Sequence, residues 1–337
     1  MRAFAIVLML TLAAPAAAQT RFTAGGQSPS GTAADDYWQA YAANIKAAAG
    51  DAIEPKLLTR GELGSEDQIL TALRRDRIQV AINGFLALTA VIPELDVLGA
   101  PYLFGSAAEM MAATETELTP RLARLFDAKD LVLLRVLPMG WMHVYGKAPA
   151  LTPADLRGRK VRIPADVATR LYLESLGYDL ISVASTEVVT ALQTGLVEAG
   201  TTVTLNYLWS GTNTEAAHLT LTGHSFLFTA LYANKRWWQG LPAEHRKILD
   251  DAAPSGRMFF DSMTAAEARA LAAAQADPKQ GKFTVHALTP DQRAAWAASA
   301  PPIIDRLVRD IGGEAQALVD AVRRGAAAHA AQTRSVQ

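Results

Sequence analysis

Gly158-Arg-Lys-Val-Arg-Ile-Pro-Ala-Asp-Val-Ala-Thr-Arg-Leu-Tyr-Leu-Glu-Ser-Leu-Gly-Tyr-Asp-Leu-Ile-Ser-Val-Ala-Ser-Thr-Glu-Val-Val-Thr-Ala-Leu-Gln-Thr-Gly-Leu-Val-Glu-Ala-Gly-Thr-Thr-Val-Thr-Leu-Asn206 reads as strand, helix, strand, helix, strand. Val161 and Ile163 are β-branched, and Pro164 ends their strand by removing a donor. Asp166 suits the N-cap of a helix whose apolar positions Val167, Leu171, Leu173 and Leu176 recur at helical spacing, and Gly177 suits the position just past its end. A strand over Leu180–Val183 follows. Ser185 or Thr186 then opens a helix with Glu187 in its first turn, and Gly195 closes it. Such alternation predicts a parallel α/β layer. Arg162, at the end of the first strand, is the leading functional candidate.

Working outward, 337 residues suit two lobes, and a composition that is 50% hydrophobic supplies ample core. Met1–Ala18 has a basic Arg2, an apolar run and Ala16-Ala17-Ala18 as a small-residue cleavage site, the pattern of a secretory signal peptide. Export to the periplasm is therefore expected. Removing Arg2 with that segment takes the formal charge from −1 to −2, with 31 basic against 33 acidic residues, so nothing argues for nucleic acid. The absence of cysteine excludes disulfides, thiolate catalysis and cysteine-held metals.

The first half opens with a strand near Arg21–Ala24, a loop containing Gln27, and an amphipathic helix over Ala33–Ala49 with Tyr37, Trp38, Tyr41 and Ile45 on one face. A strand near Ile53–Leu58 leads to Ser65 and Gln68, which have capping-box spacing and start a helix at Glu66. Ile69-Leu70-Thr71-Ala72-Leu73 and the strand after it, expected at Ile78–Ile82, echo Val188-Val189-Thr190-Ala191-Leu192 and the strand through Thr202. Asn83 and Thr202 thereby fall at equivalent strand ends, where open α/β sheets face a ligand crevice. Ala107–Asp127 is a helix that Pro120 breaks or kinks. Leu131–Val144 and Phe226–Asn234 read as strands crossing between lobes, which makes a hinge. Pro242–Ala274 is a long helical pattern interrupted at Pro254-Ser255-Gly256, and Thr289–Ala330 is helical. The lobes are expected as 19–143 with about 229–270, and 144–228 with about 271–337.

Enzyme chemistry finds no support. The six histidines show no metal-ligand spacing. Gly223-His224-Ser225 lacks the second glycine of a nucleophile elbow, and the glycine-spaced Gly26–Thr32 lacks the lysine of a phosphate loop. No cofactor and no metal are expected.

A set of motifs occurs in order along the chain: Gly61-Glu62-Leu63-Gly64-Ser65-Glu66, Pro93-Glu94-Leu95, Pro101-Tyr102-Leu103-Phe104, Lys160-Val161-Arg162-Ile163-Pro164, Glu187 to Gly195, Leu219 to His224, and Asn234-Lys235 up to Trp238 and Leu241-Pro242. Together they resemble the solute-binding proteins of tripartite ATP-independent periplasmic (TRAP) transporters, of the dicarboxylate-receptor type, over nearly the whole mature chain. The resemblance implies a two-lobed α/β periplasmic binding protein, type II-like, with a long helix packed across both lobes. It implies a monomer that closes on an organic acid and delivers it to the small and large membrane subunits of a permease; a sensor signalling to a membrane kinase or chemoreceptor is the alternative.

The family's carboxylate-binding arginine carries over to Arg162, whose guanidinium suits the task by offering two parallel charge-assisted hydrogen bonds. Met142 stands where many members carry a second arginine, Ser185 where they carry a stacking phenylalanine, and Thr202 where an amide commonly holds the carboxylate. These departures predict a monocarboxylate with a larger apolar or aromatic body. Trp141, Trp209 and Phe85 are candidate rings; Gln27, Glu66, Asn83 and Asn206 are candidate polar contacts.

Overall fold

The computed structural model describes residues 19–164, 166–277 and 282–336. The signal-peptide expectation for Met1–Ala18 lies outside the described residues. Among them, nine strands form one sheet: β1 (Thr20–Gly25), β2 (Ile53–Leu58), β3 (Val80–Gly84), β4 (Leu131–Gly146), β5 (Lys160–Ile163), β6 (Asp179–Ser182), β7 (Ala199–Val203), β8 (His218–Asn234) and β9 (Thr284–His286). Their order is β2-β1-β3-β8-β4-β7-β5-β6, with β9 beside β8. No helix among these residues is long and apolar enough to cross a membrane.

Each half of the sheet has a parallel trio, β2-β1-β3 and β6-β5-β7. The long strands β4 and β8 run antiparallel between them and belong to both halves. Residues 131–138 of β4 pair with 228–234 of β8 in the first half, and Met142–Gly146 of β4 pair with β7 in the second. The pairing slips at Leu133/Arg135, Pro138/Gly140 and Met142/Val144. Such bulges bend and twist a strand locally.

The internal echo survives as structure. Helix Glu66–Arg74 precedes β3 and helix Val188–Gln193 precedes β7, so Asn83 and Thr202 are both the fourth residue of a five-residue strand. The strand expected at Ile78 begins two residues later, because residues 74–77 turn through Asp76 in a left-handed conformation. The capping box of Ser65 and Gln68 is present. Asp166 caps helix Val167–Ser175, its carboxylate accepting from the Thr169 amide at 2.6 Å.

Pro120 does not kink the segment sharply. Instead Thr114–Leu118 widens into a π turn between helices Ala107–Ala113 and Thr119–Asp127, which accommodates the missing donor and the ring's clash with the preceding turn. The long helical pattern divides as foreseen into Ala243–Ala252 and Gly256–Ala276. Phe259 and Met263 of the second helix pack into the core of the first half with Tyr37, Trp38 and Ile45; its far end brings Leu271 and Ala274 to the core of the second with Leu192 and Leu219. One helix thus straddles both halves. The C-terminal helix Ala315–Val336 lies against Ala107–Leu118, with Gly325 opposite the backbone of Ala113.

Candidate functional site

Where the parallel strands of both halves end, a cavity of about 160 Å³ opens between them. Its floor is aromatic. Phe226 and Phe228 alternate onto one face of β8, as a strand's period of two requires. Their ring centroids lie 4.9 Å apart, and Phe85 stacks on Phe228 at 5.5 Å. Leu86, Leu95, Leu98, Met142, Pro164 and Leu227 complete an apolar wall.

Arg162 enters from the second half. It is 7% exposed and lines the cavity. Its Nε donates to the Val183 carbonyl at 2.9 Å and its Nη1 to the Thr201 carbonyl at 3.4 Å. These bonds fix the guanidinium plane without neutralising it: no carboxylate among the described residues lies within ion-pair distance of Arg162. Burial pushes its pKa down, yet a guanidinium stays protonated in any protein. Beyond ion-pair distance, the Asp166 carboxylate on the same wall attracts the guanidinium and partly offsets its burial.

Hydroxyls surround the cation. Thr169, Thr201, Thr202 and Ser225 all line the cavity. The Thr202 hydroxyl accepts from Asn206 Nδ2 at 2.9 Å, and the Ser225 hydroxyl donates to the Gly99 carbonyl at 2.7 Å. The buried Thr201 hydroxyl has no partner among the described residues. Two acids also reach the wall, Asp96 and Asp166. Burial, then the neighbouring Asp166 carboxylate, pushes Asp96 up to about 6; burial likewise raises Asp166, against the opposing pull of its Thr169 bonds and of Arg162.

Of the sequence candidates, Arg162, Met142, Thr202 and Phe85 therefore come together on this wall. Asn206 stands one bond behind Thr202. Trp141 stands edge-on to Phe226 at 4.9 Å, which supports the floor from behind. Five others fall elsewhere. Asn83 is fully buried, taking a hydrogen bond from Tyr232 and giving one to the Glu66 carbonyl, while the Glu66 carboxylate takes the Gly84 amide. Gln27 is exposed and bonds to the Gly64 carbonyl. Trp209 is 54% exposed at a helix end. Ser185 begins a short 3-10 turn, and its side chain lies outside the described part of the structure.

Sequence reasoning missed Asp96, Thr201, Ser225, Phe226 and Phe228 as wall residues, and placed Asp166 only as a cap. A carboxylate inside the apolar run Glu94–Phe104 was the available signal for Asp96. Among the described residues no cluster of three or more histidine or acidic side chains is placed to hold a metal ion.

Residues 23–310 match the family described as bacterial extracellular solute-binding protein, family 7. The chain belongs to that family. It is 26% identical over 271 residues to the C4-dicarboxylate-binding periplasmic protein DctP of Rhodobacter capsulatus, covering 80% of this chain and 81% of that one. Among solved structures, a TRAP periplasmic solute-binding protein from Chromohalobacter salexigens with bound D-glucuronate superimposes with a TM-score of 0.79 at 22% identity, over 90% of this chain and 99% of that one. The periplasmic ectoine-binding protein of the TeaABC TRAP transporter of Halomonas elongata gives a TM-score of 0.81 at 20% identity, over 91% and 99%. Family 7 membership and these superpositions establish the two-lobed binding-protein fold. The family 7 relatives above are named as binding proteins, and none of them as an enzyme.

Proposed function

We propose that this family 7 protein is the periplasmic receptor of a TRAP transporter, that it closes on a monocarboxylate with an apolar or aromatic body, and that Arg162 holds the carboxylate. It hands the acid to the small and large membrane subunits and works as a monomer. The observation that carries the reading is the buried Arg162 set in a wall of rings and aliphatic chains. Met142 supports the choice of a monocarboxylate, since a thioether on the wall offers no second cation to a dicarboxylate.

The lobes that close are 19–143 with about 229–270, and 144–228 with about 271 onward; the packing of Ala315–Val336 on Ala107–Leu118 argues for counting that helix with the first. Closure needs only that the ligand bind the closed state better than the open one. Arg162 on one lobe and Phe85 on the other give the ligand contacts that exist together only when the cleft is shut.

The test is thermal unfolding of the mature protein and of Arg162→Ala against a library of organic acids. A ligand at about 100 times its dissociation constant stabilises the native state by roughly 2.7 kcal/mol. A shift with one class of monocarboxylate that vanishes in Arg162→Ala supports the proposal. Shifts indifferent to Arg162, or a dicarboxylate bound as tightly by Met142→Arg as by the unaltered protein, refute it.

A further inference from the structure

The charges on the cavity wall do not balance for a simple acid. Among the described residues the ionisable groups lining it are one cation, Arg162, and two carboxylic acids, Asp96 and Asp166. Asp96 accepts from the Ala168 amide and Asp166 from the Thr169 amide, so both face the N-terminus of helix Val167–Ser175. That terminus offsets roughly half a charge. The wall remains net negative with both acids ionised, and a monocarboxylate docked on Arg162 adds another negative charge to a space otherwise floored by rings. Uncompensated charge in such a setting costs several kcal/mol per ion.

A second observation points to a ligand in the same place. Arg162 is 7% exposed with no carboxylate among the described residues within ion-pair distance, and the Thr201 hydroxyl on the same wall is buried and has no partner among them. We propose that the ligand is a zwitterion, whose carboxylate pairs with Arg162 and whose ammonium or amidinium group is held between Asp96 and Asp166, with the apolar body on Phe85, Phe226 and Phe228. This rests on the carboxylate reading above and narrows it. A zwitterion adds no net charge to the wall, where a simple acid adds one negative charge, and its cation is shared by two acids of which Asp96 is pushed up mainly by burial and by Asp166. Arg170, about half exposed, pulls on Asp96, and that pull is outweighed by burial and by Asp166.

The proposal separates two kinds of ligand that share a skeleton. An aromatic or branched 2-amino acid and its deaminated counterpart differ by the cationic group alone. Thermal shift and titration calorimetry on several such pairs at pH 7.5 are run with the unaltered protein, Asp96→Asn, Asp166→Asn and Arg162→Ala. Asparagine keeps the helix cap that Asp166 provides, so loss of folding does not confuse the result. A charge-assisted pair contributes enough to change affinity about tenfold or more. The zwitterion is expected to bind at least about tenfold tighter than its deaminated partner, and each asparagine variant to erase that preference while leaving the weaker binding of the deaminated acid in place.

Three results bear on the idea. A preference that disappears in both asparagine variants supports it. Deaminated acids that bind as tightly as the amino acids, through Arg162 and with proton uptake near neutral pH, overturn it while leaving the carboxylate reading intact. No Arg162-dependent binding by either member of any pair overturns both.

Discussion

Arg162 shows how much one side chain can owe to what surrounds it. Its two bonds to main-chain carbonyls fix the guanidinium plane, and the proposed carboxylate would take its charge. Arg162→Lys keeps the charge and loses the fork. It is therefore expected to retain weak binding, with about tenfold or greater loss of affinity by calorimetry, where Arg162→Ala loses binding outright. Asp96 carries the opposite signature. Because its folded-state pKa of about 6 lies above the ordinary 3.8, the folded chain holds this proton more tightly than the unfolded one. The unliganded protein consequently gains stability from this group as pH falls through about 6 toward 4, and Asp96→Asn removes the gain, a difference of order 2 kcal/mol measured by urea unfolding across that range. Arg162, Met142 and Thr202 were legible because a strand-end motif or a family position marked them, and Phe85 was named only as one of three candidate rings. Asp96, Phe226 and Phe228 were not, since an acid in an apolar run and rings in a long strand read as ordinary turn and core until tertiary contacts bring them to one wall. Asn83 obeyed the strand-end rule, but its polar atoms, like those of Glu66 at a helix start and Gln27 in a loop, are engaged within the protein, by Tyr232, Gly84 and Gly64 in turn.

At the scale of the element, local chemistry was the more reliable guide. Caps at Ser65 and Asp166 and breaks at Pro164 and Pro254 appear where the residues dictate. The full reach of β8 was not foreseen: Phe226–Asn234 extends back to His218, because polar Thr220, Thr222 and Ser225 interrupt the apolar pattern, and the pairing with β4 resumes at Thr220 after a register shift. Helix Gly256–Ala276 depends on close approach at its first residue. A Cβ added at Gly256 would sit 2.2 Å from the Val136 carbonyl oxygen of β4, an atom of backbone that has little room to yield. Gly256→Ala is expected to destabilise the protein by about 1–3 kcal/mol in chemical denaturation, through overpacking where the straddling helix meets the crossing strand.

For the molecule as a whole, the two crossing strands carry buried histidines. His143 on β4 and His224 on β8 are buried, and burial pushes them down to about 4 and about 3; the nearby Arg293 charge adds to the first effect and His143 to the second. His143 Nδ1 accepts from the Gly223 amide, and His224 Nδ1 pairs with the Thr222 hydroxyl. Both stay neutral in the native state, whereas the unfolded chain protonates near 6.5. Their contribution to stability is therefore full above that pH and is lost as pH falls from about 6.5 toward 4, against the gain from Asp96. Melting temperatures from pH 7.5 to 4.5 should show this acid limb, and H143N/H224N should flatten it by removing the titrating rings while keeping an acceptor at each site.

The two long strands have a mechanical meaning of their own. A door on a loop swings freely in many directions. β8 instead runs as one strand from one half to the other beside β4, and their pairing slips at three places, with an extra residue of β4 at the first two and extra residues of β8 at the third, like a flat spring notched on both edges. In the closure proposed above, bending gathers at such notches, and the two strands carry it as one angular motion.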